Sequence, residues 1–333
     1  MRLLFLAIMA CIALLPVTAS ANGITEEQLR AHIDILASDA FEGRKPGTAG
    51  ENKTVNYIAT EWQRAGLSGG AADSGWYMEV GLVERSPIAQ EVRFLRPSRN
   101  RARPVDIGDG QIVLRGAETD SLLSDVELVH AGYAAATVEQ LRPQVAGKVA
   151  FLFRSGRPLV PDFPSYRERK ARLIAAGARG VIAIIRGENR WLRFGRRFQR
   201  TATSLDRRGH HAEIEGMISE AGLVRLLRKT GLGPAEVTEA AGEKTFVAQP
   251  LSATASLSAE TQVRRYTSHN VIGKIAGRRP DGDSLLYMGH WDHFGICGNP
   301  EEVDRICNGA VDNASGISLL IETAKRLADE RPD

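Results

Sequence analysis

The chain has 333 residues, 43% hydrophobic and 25% charged, with a formal net charge of +3. That balance is ordinary for a globular protein and excludes a disordered or collagen-like one; the length suits about two domains of roughly 150 residues. So small a net charge gives no argument for a nucleic-acid partner.

The chain opens on Met1-Arg2 and an apolar run from Leu3 to Val17, then Ala19-Ser20-Ala21. A basic start, a short apolar stretch and small residues at a cleavage point describe a secretory signal over residues 1–21, too short and wrongly flanked for a membrane span. The protein is therefore expected to be secreted or periplasmic, with no stable membrane insertion after cleavage. A buried N-terminal helix is the alternative. Ile8-Met9-Ala10-Cys11 faintly resembles a lipoprotein box, but apolar sequence continues past Cys11, which favours simple cleavage.

Thr25 with Gln28 three residues on is a capping signal, and Leu29, Ile33 and Leu36 then recur at helical spacing. Phe41-Glu-Gly-Arg44 and Gly47-Thr-Ala-Gly50 form a glycine-punctuated loop. Glu42 and Arg44 there read as structural rather than catalytic. A helix over 51–65 follows, with Val55, Ile58 and Trp62 on one face and Gly66 as its C-terminal cap. Residues 92–95, 111–114, 126–130 and 149–153 read as strands, 166–176 as a helix and 181–185 as another strand. His130, on a strand, reads as structural.

Between Gly187 and His211, Arg190, Arg193, Arg196, Arg197, Arg200, Arg207 and Arg208 interleave with Trp191, Phe194 and Phe198. Such a segment suits phosphates or a membrane surface, but a solvated loop is the favoured reading. His210-His211 has no partner set for a metal. Residues 218–229 read as a helix with Leu223, Leu226 and Leu227 inward, and 253–263 and 270–275 as strands.

Residues 285–288, Leu-Leu-Tyr-Met, read as a buried strand that delivers His290 and Asp292 at its exit. Side chains two apart in a strand share a face, so the two can act together. A neutral imidazole suits zinc, and a carboxylate can hold that ring in one tautomer. Further on, Gly309-Ala-Val-Asp312-Asn-Ala-Ser-Gly316 sets a second carboxylate just before a helix with Ile317, Leu320, Ile321, Ala324 and Leu327 on its apolar face. Glu322 on that helix is expected to pair with Arg326, four residues on. Glu301, Glu302 and Asp304 read as a solvated loop.

Gly-His-x-Asp-His-x-Gly at 289–295, followed by Asn-Gly-Ala-x-Asp-Asn-Ala-Ser-Gly at 308–316, resembles the secreted zinc aminopeptidases with two co-catalytic metals. Aminopeptidase Y, glutamate carboxypeptidase and the transferrin receptor share that fold. The phrase Phe-Glu-Gly-Arg-x-x-Gly-Thr at 41–48 also recurs near the start of these proteins. The resemblance implies an α/β fold, a mixed sheet flanked by helices, acting on peptide substrates with two zinc ions in each complete site. It implies that His290 binds one zinc, that Asp292 orients it, that Asp312 bridges both metals and that the Asp312–Asn313 peptide bond is cis. His293 would face substrate rather than metal. The family's site also needs a Glu-Glu pair carrying the general base, then an Asp and a His. No Glu-Glu follows Asp312, so the chain is expected to be truncated, inactive by itself and poorly soluble.

Cys297 and Cys307 lie in the loop between the two motifs. An oxidising compartment makes a disulfide between them the expectation; free thiols and metal ligation are the alternatives. Residues 118–250, with Ala-Ala-Gly-Ala-Arg-Gly-Val at 175–181, resemble a protease-associated domain inserted ahead of the metal-binding half. The expected layout is a signal at 1–21, the N-terminal part of a peptidase domain at 22–117, the insert at 118–250 and the first part of the zinc core at 251–333. Two other classes compete. One is a non-catalytic receptor or binding protein of the same fold, against which His290, Asp292 and Asp312 together speak. The other is a single-zinc glutaminyl cyclase-like acyltransferase, which the insert and the Asn-Gly-Ala-x-Asp-Asn context disfavour.

Overall fold

The computed structural model describes residues 23–99, 101–154, 162–207, 209, 211–230, 233, 248–277 and 282–330. The readings on the signal segment, Cys11, Arg208 and His210 lie outside the described residues. In chain order come α1 (Glu26–Leu36), α2 (Ala49–Arg64), β1 (Ser68–Gly69), β2 (Tyr77–Arg96), β3 (Arg103–Val105), β4 (Ile112–Gly116) and β5 (Asp120–His130). Then follow α3 (Val138–Val145), β6 (Val149–Phe153), α4 (Tyr166–Ala175), β7 (Gly180–Ile185), α5 (Glu188–Phe198), β8 (Ala202–Leu205) and β9 (Ile214–Ser219). The last are α6 (Glu220–Thr230), β10 (Gln249–Val271), β11 (Gly273–Lys274), β12 (Gly295–Ile296), β13 (Ile306–Cys307) and α7 (Ser315–Glu330).

The chain divides into two compact units, Met1–Met78 with His269–Asp333, and Glu79–Ser268. The second unit is wider at both ends than the 118–250 segment read from sequence. Hydrogen bonding explains the difference. Residues 112–116 pair with 214–218, and 249–260 pair with 120–130, so both flanks are woven into one sheet.

That sheet is mixed, in the order β3-β2-β10-β5-β6-β7-β9-β4, with β8 added on β2. The contacts β5–β6, β6–β7 and β7–β9 are parallel, and β4–β9 and β5–β10 are antiparallel. Parallel strands covered on both faces read as unbroken apolar runs, as Val149–Phe153 and Gly180–Ile185 do; every residue of both is buried. Val149, Phe151 and Phe153 face one core with Leu223 and Leu226 of α6. Ala150 and Leu152 face the other, with Leu141 of α3 and Leu173 of α4.

Residues 188–198 of the arginine-rich segment form a helix, α5, and 202–205 a strand, β8, in place of the expected solvated loop. The aromatic stripe of α5 lies on the sheet, where Trp191 is buried and Phe194 and Phe198 pack against Val113, Ala183, Ile185 and Met217. The Arg115 guanidinium sits 4.4 Å from the centre of the Phe198 ring, and that of Arg154 4.7 Å from Phe194. Arg193, Arg196, Arg197 and Arg200 point to solvent. Nearby, Glu215 of β9 takes Lys170 at 2.9 Å and His211 at 3.1 Å.

In the first unit, α1 begins at the expected capping box of Thr25 and Gln28. Gly66 takes the positive φ, +85°, just past α2 that a C-terminal glycine cap requires. Leu36, Val55, Ile58, Trp62, Ile317 and Ile321 bring α1, α2 and α7 together in one core. Residues 285–288 are not a buried strand. Leu285, Leu286, Tyr287 and Met288 are 79, 76, 51 and 81% exposed. An apolar run becomes a strand only where a neighbour accepts its backbone hydrogen bonds; among the described residues none pairs with it. Among the described residues no helix is long and apolar enough to cross a membrane.

Candidate metal site

Two segments of the first unit carry the candidate residues. In the first, residues 290–292 alternate. The His290 side chain is 57% exposed and that of Asp292 49%, while Trp291 between them is 9% exposed. Trp291 packs among Trp62, Ile58, Ile317 and Ile321, and its indole Nε1 donates to the His269 carbonyl at 3.1 Å. Pinning Trp291 inward turns both its neighbours outward.

The second segment is the turn at 310–314 ahead of α7. Gly309 enters it at φ +63°, a left-handed conformation that glycine adopts without steric cost. The Asp312–Asn313 peptide bond is cis. The Asn313 amide Nδ2 donates to the His290 carbonyl at 3.0 Å, tying the two segments together.

His290 and Asp312 meet. The His290 Nε2 atom lies 3.3 Å from Asp312 Oδ1. On the other side of the ring, Nδ1 is 3.2 Å from the Asp292 carbonyl and 3.4 Å from its carboxylate. Both ring nitrogens of His290 thus face oxygen acceptors, Nδ1 those of Asp292 and Nε2 that of Asp312; a proton on Nδ1 would leave the Nε2 lone pair for a metal. The His293 Nδ1 atom is 3.9 Å from Asp312 Oδ2, so the carboxylate lies between two imidazoles.

These donors fit part of a zinc centre. Zinc bonds of about 2.0–2.2 Å put two tetrahedral ligands roughly 3–4 Å apart, and 3.3 Å falls in that range. Zinc sites use three or four protein ligands. Among the described residues no group of three or more His, Cys, Asp or Glu is placed to hold a metal ion. His290 and Asp312 would supply two ligands of such a site. Cys297 and Cys307 are joined as a disulfide, with Cα atoms 5.8 Å apart, and neither thiol is left for a metal.

Two further groups shape this site: Asn308, to which sequence reading gave no role, and Arg44, which it read as structural. Asn308 donates to the Ala37 carbonyl at 2.7 Å and to Asp39 at 2.8 Å. Arg44 is 1% exposed. Burial lowers its pKa, against the pull of Asp292 and Asp312. Both residues stood inside recognised phrases; apart from Leu36, eight residues from Arg44, what they bond to lies some 250 residues or more away along the chain.

Glu322 does not pair with Arg326. It is 5% exposed and turned inward, where it meets His32 Nε2 at 2.8 Å and Lys325 Nζ at 2.9 Å; Arg326 pairs with Glu330 on the outer face. Lys325 also reaches Glu61 at 3.0 Å, and Tyr57 completes the cluster on His32 Nδ1 at 2.5 Å. Burial pushes the Tyr57 hydroxyl up to about 12. Burial also opposes ionised Glu322, but the bonds from Lys325 and His32 outweigh it and hold the carboxyl below its ordinary value. A carboxyl with a depressed folded pKa stabilises the fold above its unfolded value, about 4.3, and loses that contribution as pH falls through the folded value. Glu322→Gln should therefore lower the urea midpoint at pH 7 and leave a much smaller difference from wild type below pH 4. An equal difference at both pH values would contradict this account.

A cavity of about 550 Å³ lies in the second unit, lined among others by Phe94, Trp191, Arg93, Arg196, Asp106 and Asp109. Two arginines and two aspartates leave its walls without net charge, and it holds none of the candidate ligands.

Residues 270–333 match the sequence model of Peptidase family M28. No curated protein sequence matches the chain. Among solved structures, an aminopeptidase from Aneurinibacillus sp. strain AM-1 is similar at 16% identity and a TM-score of 0.42, covering 91% of this chain and 59% of that one. Two structures of BSAP, a zinc aminopeptidase from Bacillus subtilis, are similar at 20% and 18% identity, with TM-scores of 0.35 and 0.34. Each covers 91% of this chain and 57% of its own. The chain thus spans less than three-fifths of the length of these structures.

Proposed function

We propose that the chain is part of a secreted or periplasmic zinc-dependent exopeptidase that removes N-terminal residues from peptides. The observation that carries this reading is the 3.3 Å approach of His290 Nε2 to Asp312 Oδ1, within the residues that match the M28 peptidases. His290 and Asp312 would hold a zinc ion between them. Asp292 fixes the imidazole so that Nε2 presents its lone pair outward. Asp312, whose second oxygen lies on the His293 side, would also help to hold the second of the two zinc ions that a complete site takes. His293 lines the same opening and would meet the peptide. When bound, zinc polarises a scissile carbonyl and lowers the pKa of water. A general base and further ligands would be needed beside these residues to complete such a site. The second unit would contain, within 118–250, a protease-associated module, and Glu79–Ser268 as a whole would fold around it.

The test is hydrolysis of aminoacyl-4-nitroanilides by the protein made from its natural coding sequence. Activity should disappear with chelator and return with zinc. Asp292→Asn should lower kcat/KM by about 10–100-fold, the usual effect of removing an outer partner of a ligating histidine. His290→Ala should lower it further. Residues 22–333 alone should not hydrolyse these substrates. Chelator-resistant hydrolysis, or full activity in His290→Ala, would overturn the proposal, and zinc binding without hydrolysis by the natural protein would favour a receptor.

A further inference from the structure

The turn Phe41–Arg44 touches both ligand-bearing segments and is used by neither as a ligand. Its backbone is unusual. Glu42, Gly43 and Arg44 take φ values of +52°, +63° and +52° in succession. Non-glycine residues persist in that region only where their surroundings over-determine them. The surroundings here are the two motif segments and the disulfide loop. A Cβ on Gly43 would come within 2.6 Å of the carbonyl oxygens of both Gly295 and Cys307, so the loop's backbone lies directly on that glycine.

Arg44 does more. Its Nε donates to the Trp291 carbonyl at 3.0 Å, between His290 and Asp292 in sequence. Its Nη1 donates to the Asn308 carbonyl at 2.6 Å and to that of Leu36. Its Nη2 donates to the Gly309 carbonyl at 2.8 Å, three residues before Asp312. The Arg44 carbonyl in turn accepts from the His293 amide at 3.2 Å. One planar guanidinium thus holds the backbone beside His290 and the backbone ahead of Asp312 in a single rigid fork, while α1 anchors it from behind. An ammonium has three donors on one nitrogen and cannot span carbonyls set this far apart.

We infer that Arg44 is a positioning residue: by holding the backbone beside His290 and ahead of Asp312 it sets their separation, so that the ligand pair is preformed and does not assemble around the ion. The claim that the pair binds zinc rests on the peptidase reading; the claim that Arg44 fixes the pair does not.

The experiment uses the protein made from its natural coding sequence as wild type, Arg44→Lys and Arg44→Ala, with hydrogen exchange read by mass spectrometry and zinc binding read by calorimetry. In Arg44→Lys, α1, α2 and α7 should keep their protection and the urea midpoint should stay close to wild type. The amides of His293 and Ala314, which are bonded to the Arg44 and Gly309 carbonyls, should exchange at least about tenfold faster, the factor that a change of 1.4 kcal/mol in local opening produces. Zinc affinity should fall by about 10–100-fold, as it does when groups that orient ligands are lost. Arg44→Ala should show the same pattern more strongly. Wild-type protection at both amides in Arg44→Lys would overturn the inference, since charge alone would then suffice. Uniform loss of protection across the first unit in both variants would also overturn it, because Arg44 would then act on global stability. A wild-type chain that binds no zinc would sink the peptidase reading, and the exchange data would still decide the role of Arg44.

Discussion

Glu215→Ala is expected to destabilise the second unit by about 3–5 kcal/mol, the usual result of removing one partner from a buried ion pair. Glu215 is 14% exposed at its side chain, Lys170 20% and His211 18%. Burial raises the Glu215 pKa, but the His211 bond and the Lys170 charge outweigh it and hold the carboxyl down at about 2. Removing the carboxylate leaves the Lys170 ammonium without its partner in a poorly hydrated place. It also leaves His211 against Arg85, whose Nη2 lies 2.8 Å from the ring. The folded pKa lies below the unfolded value of about 4.3, so the stabilisation is complete above that value. It disappears as pH falls from there toward about 2. Urea titrations at pH 7 and pH 3 measure both parts. The wild-type and variant midpoints should be far apart at pH 7 and closer at pH 3. A difference under about 1 kcal/mol at pH 7 would mean that the pair contributes no more than an exposed one.

Phe151→Ala should cost a similar amount, about 3–5 kcal/mol, for a different reason. Phe151 is the middle residue of β6 and 0% exposed. It packs in the core that also holds Val149, Phe153, Ile182, Leu223 and Leu226. Parallel neighbours on both sides fix the strand, β5 through His130 and β7 through Ile182. The site therefore cannot collapse around a lost ring, and the transfer loss is joined by a cavity. The loss should persist at pH 3, unlike that of Glu215→Ala. Phe151→Leu should cost markedly less. A loss below about 1 kcal/mol for Phe151→Ala would show that this core is loosely packed.

What could be read from sequence was local or strongly periodic. Val149–Phe153 read as a strand because no polar residue interrupts it. The Thr25–Gln28 box and Gly66 marked helix ends because capping is settled within one turn of chain. What could not be read depends on partners distant in sequence. Leu285–Met288 has the composition of a buried strand, yet nothing among the described residues pairs with it. Glu322 looked paired with Arg326, but Lys325 one turn on and His32, 290 residues away, share its carboxylate. In α5 the spacing of Trp191, Phe194 and Phe198 was helical all along, and the density of arginine between them concealed it. At the candidate site the sequence named the residues and their order. It could not show how near His290 comes to Asp312, because Asn313 and Arg44 set that distance through backbone carbonyls, which no side-chain pattern reports.

Trp291 gives the protein an optical reporter. Its indole is sealed in an apolar core, bonded to one carbonyl, and flanked in the chain by His290 and Asp292. A buried indole emits at shorter wavelength than a wet one, so any loosening of this segment shifts the emission to the red. A paramagnetic ion such as copper held by His290 would sit close enough to quench it. With Trp62, Trp76 and Trp191 replaced by phenylalanine, the emission of the chain reads the occupancy and order of one short segment.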